Sequence, residues 1–86
     1  GNDLAVKYLF YNSFSAANLE NANFKNAILW YVNFYQAELQ NADLSGADLS
    51  GAFLTETNLS GANLSDVILD ENTLLTCINH PICLND

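Results

Sequence analysis

An all-β solenoid is the fold class that this sequence predicts, and three observations predict it. Every fifth residue from Leu4 to Leu74 is Leu or Phe, fifteen positions in all. Two places before these runs a second column of small residues: Ala17, Ala22, Ala27, Val32, Ala37, Ala42, Ala47, Ala52, Thr57, Ala62 and Val67. Two places after the large residue stands Asn21, Asn26, Asn41, Gly46, Gly51, Gly61 or Asp66 in seven of the eleven clean repeats. These types tolerate the positive φ that a type II turn needs at its third position. A period of five fits neither the 3.6 of a helix nor the 2 of a long strand, so the chain must be built from stacked copies of one short unit.

Each unit sends its small and its large residue inward and turns three mostly polar residues to water. An extended piece followed by a corner, repeated, gives a polygonal coil whose layers stack about 4.8 Å apart through backbone hydrogen bonds. The predicted core is the large column: Leu19, Phe24, Leu29, Phe34, Leu39, Leu44, Leu49, Leu54, Leu59, Leu64 and Leu69. The 86 residues form one domain, with clean repeats over 17–71, a degenerate N-terminal coil or cap over 1–16 and a C-terminal capping segment over 72–86.

The runs Ala22-Asn23-Phe24, Ala42-Asp43-Leu44, Ala47-Asp48-Leu49 and Ala62-Asn63-Leu64 resemble the A-[DN]-L-x-x motif of pentapeptide repeat proteins. That resemblance, specific over 17–71, implies a right-handed quadrilateral β-helix of twenty residues per coil, here about four coils. The family occurs widely in cyanobacteria, and most of its members have no assigned activity.

Lys7 and Asn12 fall in the small inward column, where a charge or an amide is costly to bury. The stretch from Tyr8 to Phe14 nevertheless aligns with Ile28 to Phe34, twenty residues on. Winding from about residue 8, with Lys7 leaving through the open end, is the favoured reading, and a helix over 3–11 is the alternative. At the other end the register fails after Leu74. Leu74, Leu75 and Ile78 share a helical face, Asp70 is placed to cap its start and Pro81 to end it. A short irregular or helical cap is therefore expected to cover the last coil.

The formal charge is −8, from 10 acidic and 2 basic side chains. Such a chain repels nucleic acid and anionic membrane alike, so no direct nucleic-acid binding is expected, and the acidity also keeps a regular fold soluble. No run approaches a membrane-spanning helix and the start does not resemble a signal peptide, so no membrane insertion is expected. The compartment stays open between cytoplasm and a lumenal or periplasmic space. Catalytic, metal and cofactor sites are all expected to be absent. His80 is the sole histidine and has no partner motif, and Cys77 and Cys83 lack zinc-ligand spacing. A disulfide between these cysteines and two free buried thiols both fit.

Some members of the resembled family mimic duplex DNA and inhibit type II topoisomerases, which makes an acidic DNA mimic the second function class. Folded at twenty residues per coil, Glu20 and Glu38 share one side, Asp43 and Asp66 the next, Asp48, Asp70 and Glu71 the third, and Glu56 the last. No side carries an unbroken row. The same folding gathers outward aromatic and aliphatic residues instead: Phe10 with Trp30, Tyr11 with Tyr31, Tyr8 with Ile28, and Tyr35 and Phe53 on the adjacent side. Trp and Tyr anchor interfaces. The leading function is accordingly a non-enzymatic scaffold that displays Phe10, Tyr11, Ile28, Trp30, Tyr31, Tyr35 and Phe53 to an unidentified protein partner. Packing of these rings against a flanking segment explains them equally well, and self-association end to end or side by side is compatible with both.

Overall fold

The computed structural model describes residues 3–84. Within them the chain returns to the same lateral position every twenty residues, and parallel backbone bridges mark each return. The bridges form four rows: Asp3, Asn23, Asp43 and Asn63; Tyr8, Ile28, Asp48 and Ile68; Ser13, Asn33, Phe53 and Leu74; Asn18, Glu38, Asn58 and Ile78. Four rows of four residues make four coils. The pairing is repetitive because each side uses the same two bonds. The Leu29 amide donates to the Asp48 carbonyl one coil on (2.8 Å), and the Asp48 amide reaches back to the Ala27 carbonyl (2.9 Å).

Corners follow from the residues between rows. The carbonyl of a large residue accepts the amide three places on, as in Ala27 to Phe24 at 3.0 Å. The third residue of each such turn has a positive φ, in a column that runs without a gap from Val6 to Asp66. Asn, Asp and Gly fill most of that column because they bear this conformation at least cost. Asn or Asp before the large residue locks the corner from the side. Its oxygen accepts the amide two places on, at 2.8 Å for Asn33 and Tyr35 and at 3.0 Å for Asp48 and Ser50. The motif's Asn/Asp position is thus a turn cap, as these residues are elsewhere.

The interior is the pair of inward columns, closed to water from Leu19 to Leu59. Each buried Leu or Phe contributes about 1.5–3 kcal/mol by leaving water. Phe14 stacks on Phe34 with centroids 5.5 Å apart, and Phe24 meets Phe34 edge-on at 5.7 Å. Thr57 takes an inward place and satisfies its hydroxyl on the Phe34 carbonyl at 2.6 Å.

Both ends differ from expectation. Winding already includes Asp3, which bridges Asn23, and the described residues contain no helix, so the helix over 3–11 is not formed. Lys7 and Asn12 do sit in the inward column, yet their side chains reach water because no described coil lies outside them. Their carbonyls still accept the amides of Ile28 and Asn33.

At the C-terminus the predicted helical face is also overturned. Phe53 bridges Leu74, twenty-one residues on, whereas Asn58 bridges Ile78 at twenty. One residue is added before Leu74 and one removed before Ile78. Leu74 therefore points outward, 51% exposed, and Thr73, Leu75 and Cys77 take the inward positions. Thr73 donates to the Leu49 carbonyl at 2.9 Å, repeating the bond that Thr57 makes three sides earlier in the chain. Asp70 holds the slip rather than a helix: its Oδ1 accepts the amides of Gly51 (2.9 Å) and Asn72 (3.0 Å). Residues 79–84 then fold back as an irregular closure. A Cys77–Cys83 disulfide, the Leu84 amide on the Leu75 carbonyl (2.7 Å) and the Ile82 amide on His80 Nδ1 (3.1 Å) fix it. The closure covers only part of the end. Leu64 is half-buried and Leu69 is 36% exposed, so the predicted core fades at the last coil.

Candidate interaction surface

The second row and the corner behind it carry most of the outward rings. Phe10 stacks on Trp30, with centroids 4.9 Å apart and planes 16° from parallel, and Tyr11 stacks on Tyr31 at 5.2 Å and 8°. Tyr8 meets Phe10 edge-on at 5.9 Å. Coil spacing explains the stacks: residues twenty apart stand one layer above the other, within the 4.5–7 Å at which rings attract. Each stack adds about 0.5–1.5 kcal/mol. Beneath Tyr31 the column continues with Gly51, whose missing Cβ is the space that the tyrosine ring fills. Any side chain there would collide with the ring, and Gly51 also has φ 71°.

Stacking covers the ring faces that meet between coils and leaves the rest of each ring outward. Trp30 is 41% exposed, Tyr31 47% and Tyr11 74%, while Ile28 beside them is half-buried. Tyr35 and Phe53 form a separate half-buried stack at 5.7 Å on the third row. The sequence-predicted residues thus form two exposed stacks flanked by Tyr8 and Ile28, plus one recessed pair. Three exposed aliphatic residues of the last coil, Ile68, Leu74 and Ile78, are an addition to them. Assigning Leu74 and Ile78 to a helix hid that group, although the side-by-side leucines at 74 and 75 already signalled a change of phase.

One carboxylate, that of Asp48, adjoins the rings. Burial pushes the Asp48 carboxyl up, but the Ser50 hydroxyl, the Trp30 indole N–H and the Ser50 amide together hold it below its ordinary value. For Asp70 the desolvation is likewise outweighed, here by the amides of Gly51 and Asn72 and by Thr73. Asp43 is lowered chiefly by the Ser45 hydroxyl and amide, with the charge of Lys25 adding to them against desolvation. Among the described residues there is no cavity, no group of three or more His, Cys, Asp and Glu suited to a metal, and no helix long and apolar enough to cross a membrane. His80 acts structurally, through Nδ1 and its carbonyl, in the terminal closure.

This geometry defines a class, the β-solenoid of stacked five-residue units. The family model for pentapeptide repeats matches in eight copies over residues 17–55 and 37–74, and the chain belongs to that family. It is similar to a pentapeptide repeat protein, Rfr23, from the cyanobacterium Cyanothece 51142. The identity is 36%, the TM-score 0.69, and the match covers 83% of this chain and 52% of that one. It is also similar to a pentapeptide repeat protein from the thylakoid lumen of Arabidopsis thaliana, at 30% identity and a TM-score of 0.66 over 100% of this chain and 67% of the other. The chain therefore spans about half the length of the cyanobacterial relative. No curated protein matches it.

Proposed function

We propose that the protein is a non-enzymatic interaction module: a right-handed quadrilateral β-helix, partly covered at its C-terminal end by residues 79–84, that displays an aromatic corner to a protein partner. The observation that carries this reading is the pair of exposed stacks, Phe10 on Trp30 and Tyr11 on Tyr31, on an exterior that is otherwise mostly polar. Tyr and Trp bring large contact area at low entropic cost, and they dominate interface energetics. The rigid scaffold favours the same use, since a ladder of backbone bonds orders the rings before any partner arrives. The disulfide and the lumenal relative together favour an oxidising compartment.

Trp30 is the only tryptophan, so its emission reports on this corner alone. In a monomer verified by sedimentation, acrylamide should quench Trp30 efficiently, and a bound partner should shield it. A Trp30 inaccessible to quencher in the free monomer would make the rings core and end the proposal.

A further inference from the structure

The second row changes character along the solenoid. Its first two coils carry Tyr8, Phe10, Tyr11, Ile28, Trp30 and Tyr31 on the row or its corner, and its last two carry Asp48, the exposed Ile68 and Asp70, with Glu71 next in the chain. Both lysines, Lys7 and Lys25, lie in the first two coils. The face is therefore aromatic and locally cationic at one end, and at the other it sets carboxylates beside a single exposed aliphatic residue. Ring edges, which carry the positive rim of the aromatic quadrupole, suit aliphatic stems and carbonyl oxygens better than ammonium groups. The carboxylates are the place for cations.

We propose that this face binds an extended protein segment, apolar at one end and rich in Arg or Lys at the other, that lies along the solenoid axis. Its apolar side chains rest on the ring edges of the first two coils, and its cations lie over Asp48, Asp70 and Glu71. This rests on the interaction-surface reading above and adds the chemistry and direction of the partner. Two coil steps separate the halves by about 10 Å, so roughly three extended residues link the apolar and basic parts of the segment. Charge selects this occupant over a second copy, because two chains of −8 would bring carboxylate against carboxylate.

The probe is a terminally blocked peptide, Leu-Phe-Ser-Gly-Ser-Arg-Arg, beside two controls in which Ser-Ser replaces Leu-Phe or Gln-Gln replaces Arg-Arg. Trp30 emission and acrylamide quenching follow binding. Only the complete peptide should bind saturably and shield Trp30. Asp48→Asn with Glu71→Gln should weaken it roughly fivefold, as expected for two surface ion pairs of which one, at Asp48, is half-buried. Asn serves the same turn at positions 33 and 58, so that change keeps the corner closed. Glu20→Gln with Glu56→Gln removes equal charge from other sides and should change affinity by less than about twofold. Equal weakening by both pairs, binding that leaves Trp30 quenching unchanged, or no saturable binding would overturn the inference. With Trp30 quenchable in the free monomer, any of these outcomes leaves the interaction-surface reading standing.

Discussion

Inward and outward are decided residue by residue, and the difference is measurable. Leu49 is fully buried between coils, whereas Ser60 is exposed at a corner. Leu49→Asp places a carboxylate where neither water nor a partner reaches it. The cost should exceed the 2–5 kcal/mol typical of emptying such a site by Leu→Ala. Ser60→Asp should stay within about 0.5 kcal/mol. Urea melts of the two variants compare them directly, and similar losses would refute the column assignment. A second expectation concerns acid. Asp43, Asp48 and Asp70 have carboxyl groups held below their ordinary value of 3.8 by folding. Their contribution to stability is complete above that value and is lost as pH falls through the lower folded values. Melting temperature should therefore fall more steeply below about pH 4 in the native protein than after Asn replaces all three. Parallel acid limbs would show that these carboxylates do not carry the effect. The columns were legible in the sequence because burial admits so few residue types. Lys7 was likewise placed correctly, at an inward position that reaches water, but its charge hid the winding that already includes Asp3.

The elements most poorly legible in the sequence are those where the period of five breaks. Counting on from Leu69 makes Leu74 inward, and only the bridge of Phe53 to Leu74 reveals the added residue. A signal was present. Thr57-Asn58-Leu59 and Thr73-Leu74-Leu75 share a small inward Thr two places before an inward Leu, and both hydroxyls serve a carbonyl of the preceding coil. Helical spacing among Leu74, Leu75 and Ile78 outweighed it, although such short apolar runs cannot separate helix from strand. The closure that follows hangs on one covalent link. Loss of a disulfide spanning six residues should cost about 2 kcal/mol by loop entropy. Cys83→Ser should accelerate hydrogen exchange at the Leu84 amide, which is bound to the Leu75 carbonyl, while the Leu29 and Leu39 amides stay protected. Uniform acceleration throughout the coils would mean that the closure holds the whole stack.

For the whole molecule, the placement of charge bears on the choice between function classes. A DNA mimic needs two dense rows of negative charge on the scale of duplex phosphates, one charge per about 1.7 Å of axis. The second row alternates instead between Tyr8, Ile28, Asp48 and Ile68, and the fourth between Asn18, Glu38, Asn58 and Ile78. Supercoiling assays with a type II topoisomerase should accordingly show no inhibition at stoichiometric protein. Inhibition relieved by neutralising Glu38, Asp43 and Asp48 would reverse the ranking. The architecture was legible in the sequence because one short motif is copied along most of the chain. A partner was not, because most outward positions meet little constraint from the coils, and this chain's sequence holds at most one side of a contact.

The paired slip at the last coil bears on how such arrays change length. A residue added on one side and a residue dropped on the next restore the frame, much as one frameshift suppresses another. Within the stack, every side must match a neighbour both before and after it, so an unsuppressed insertion would throw two interfaces out of phase. At the last described coil only one described neighbour constrains the chain, and Asp70 can stand in for the displaced backbone carbonyl by accepting the Gly51 amide. Insertions and deletions should therefore accumulate first at the ends of these solenoids, in compensating pairs, and next to residues whose side chains can replace a main-chain acceptor.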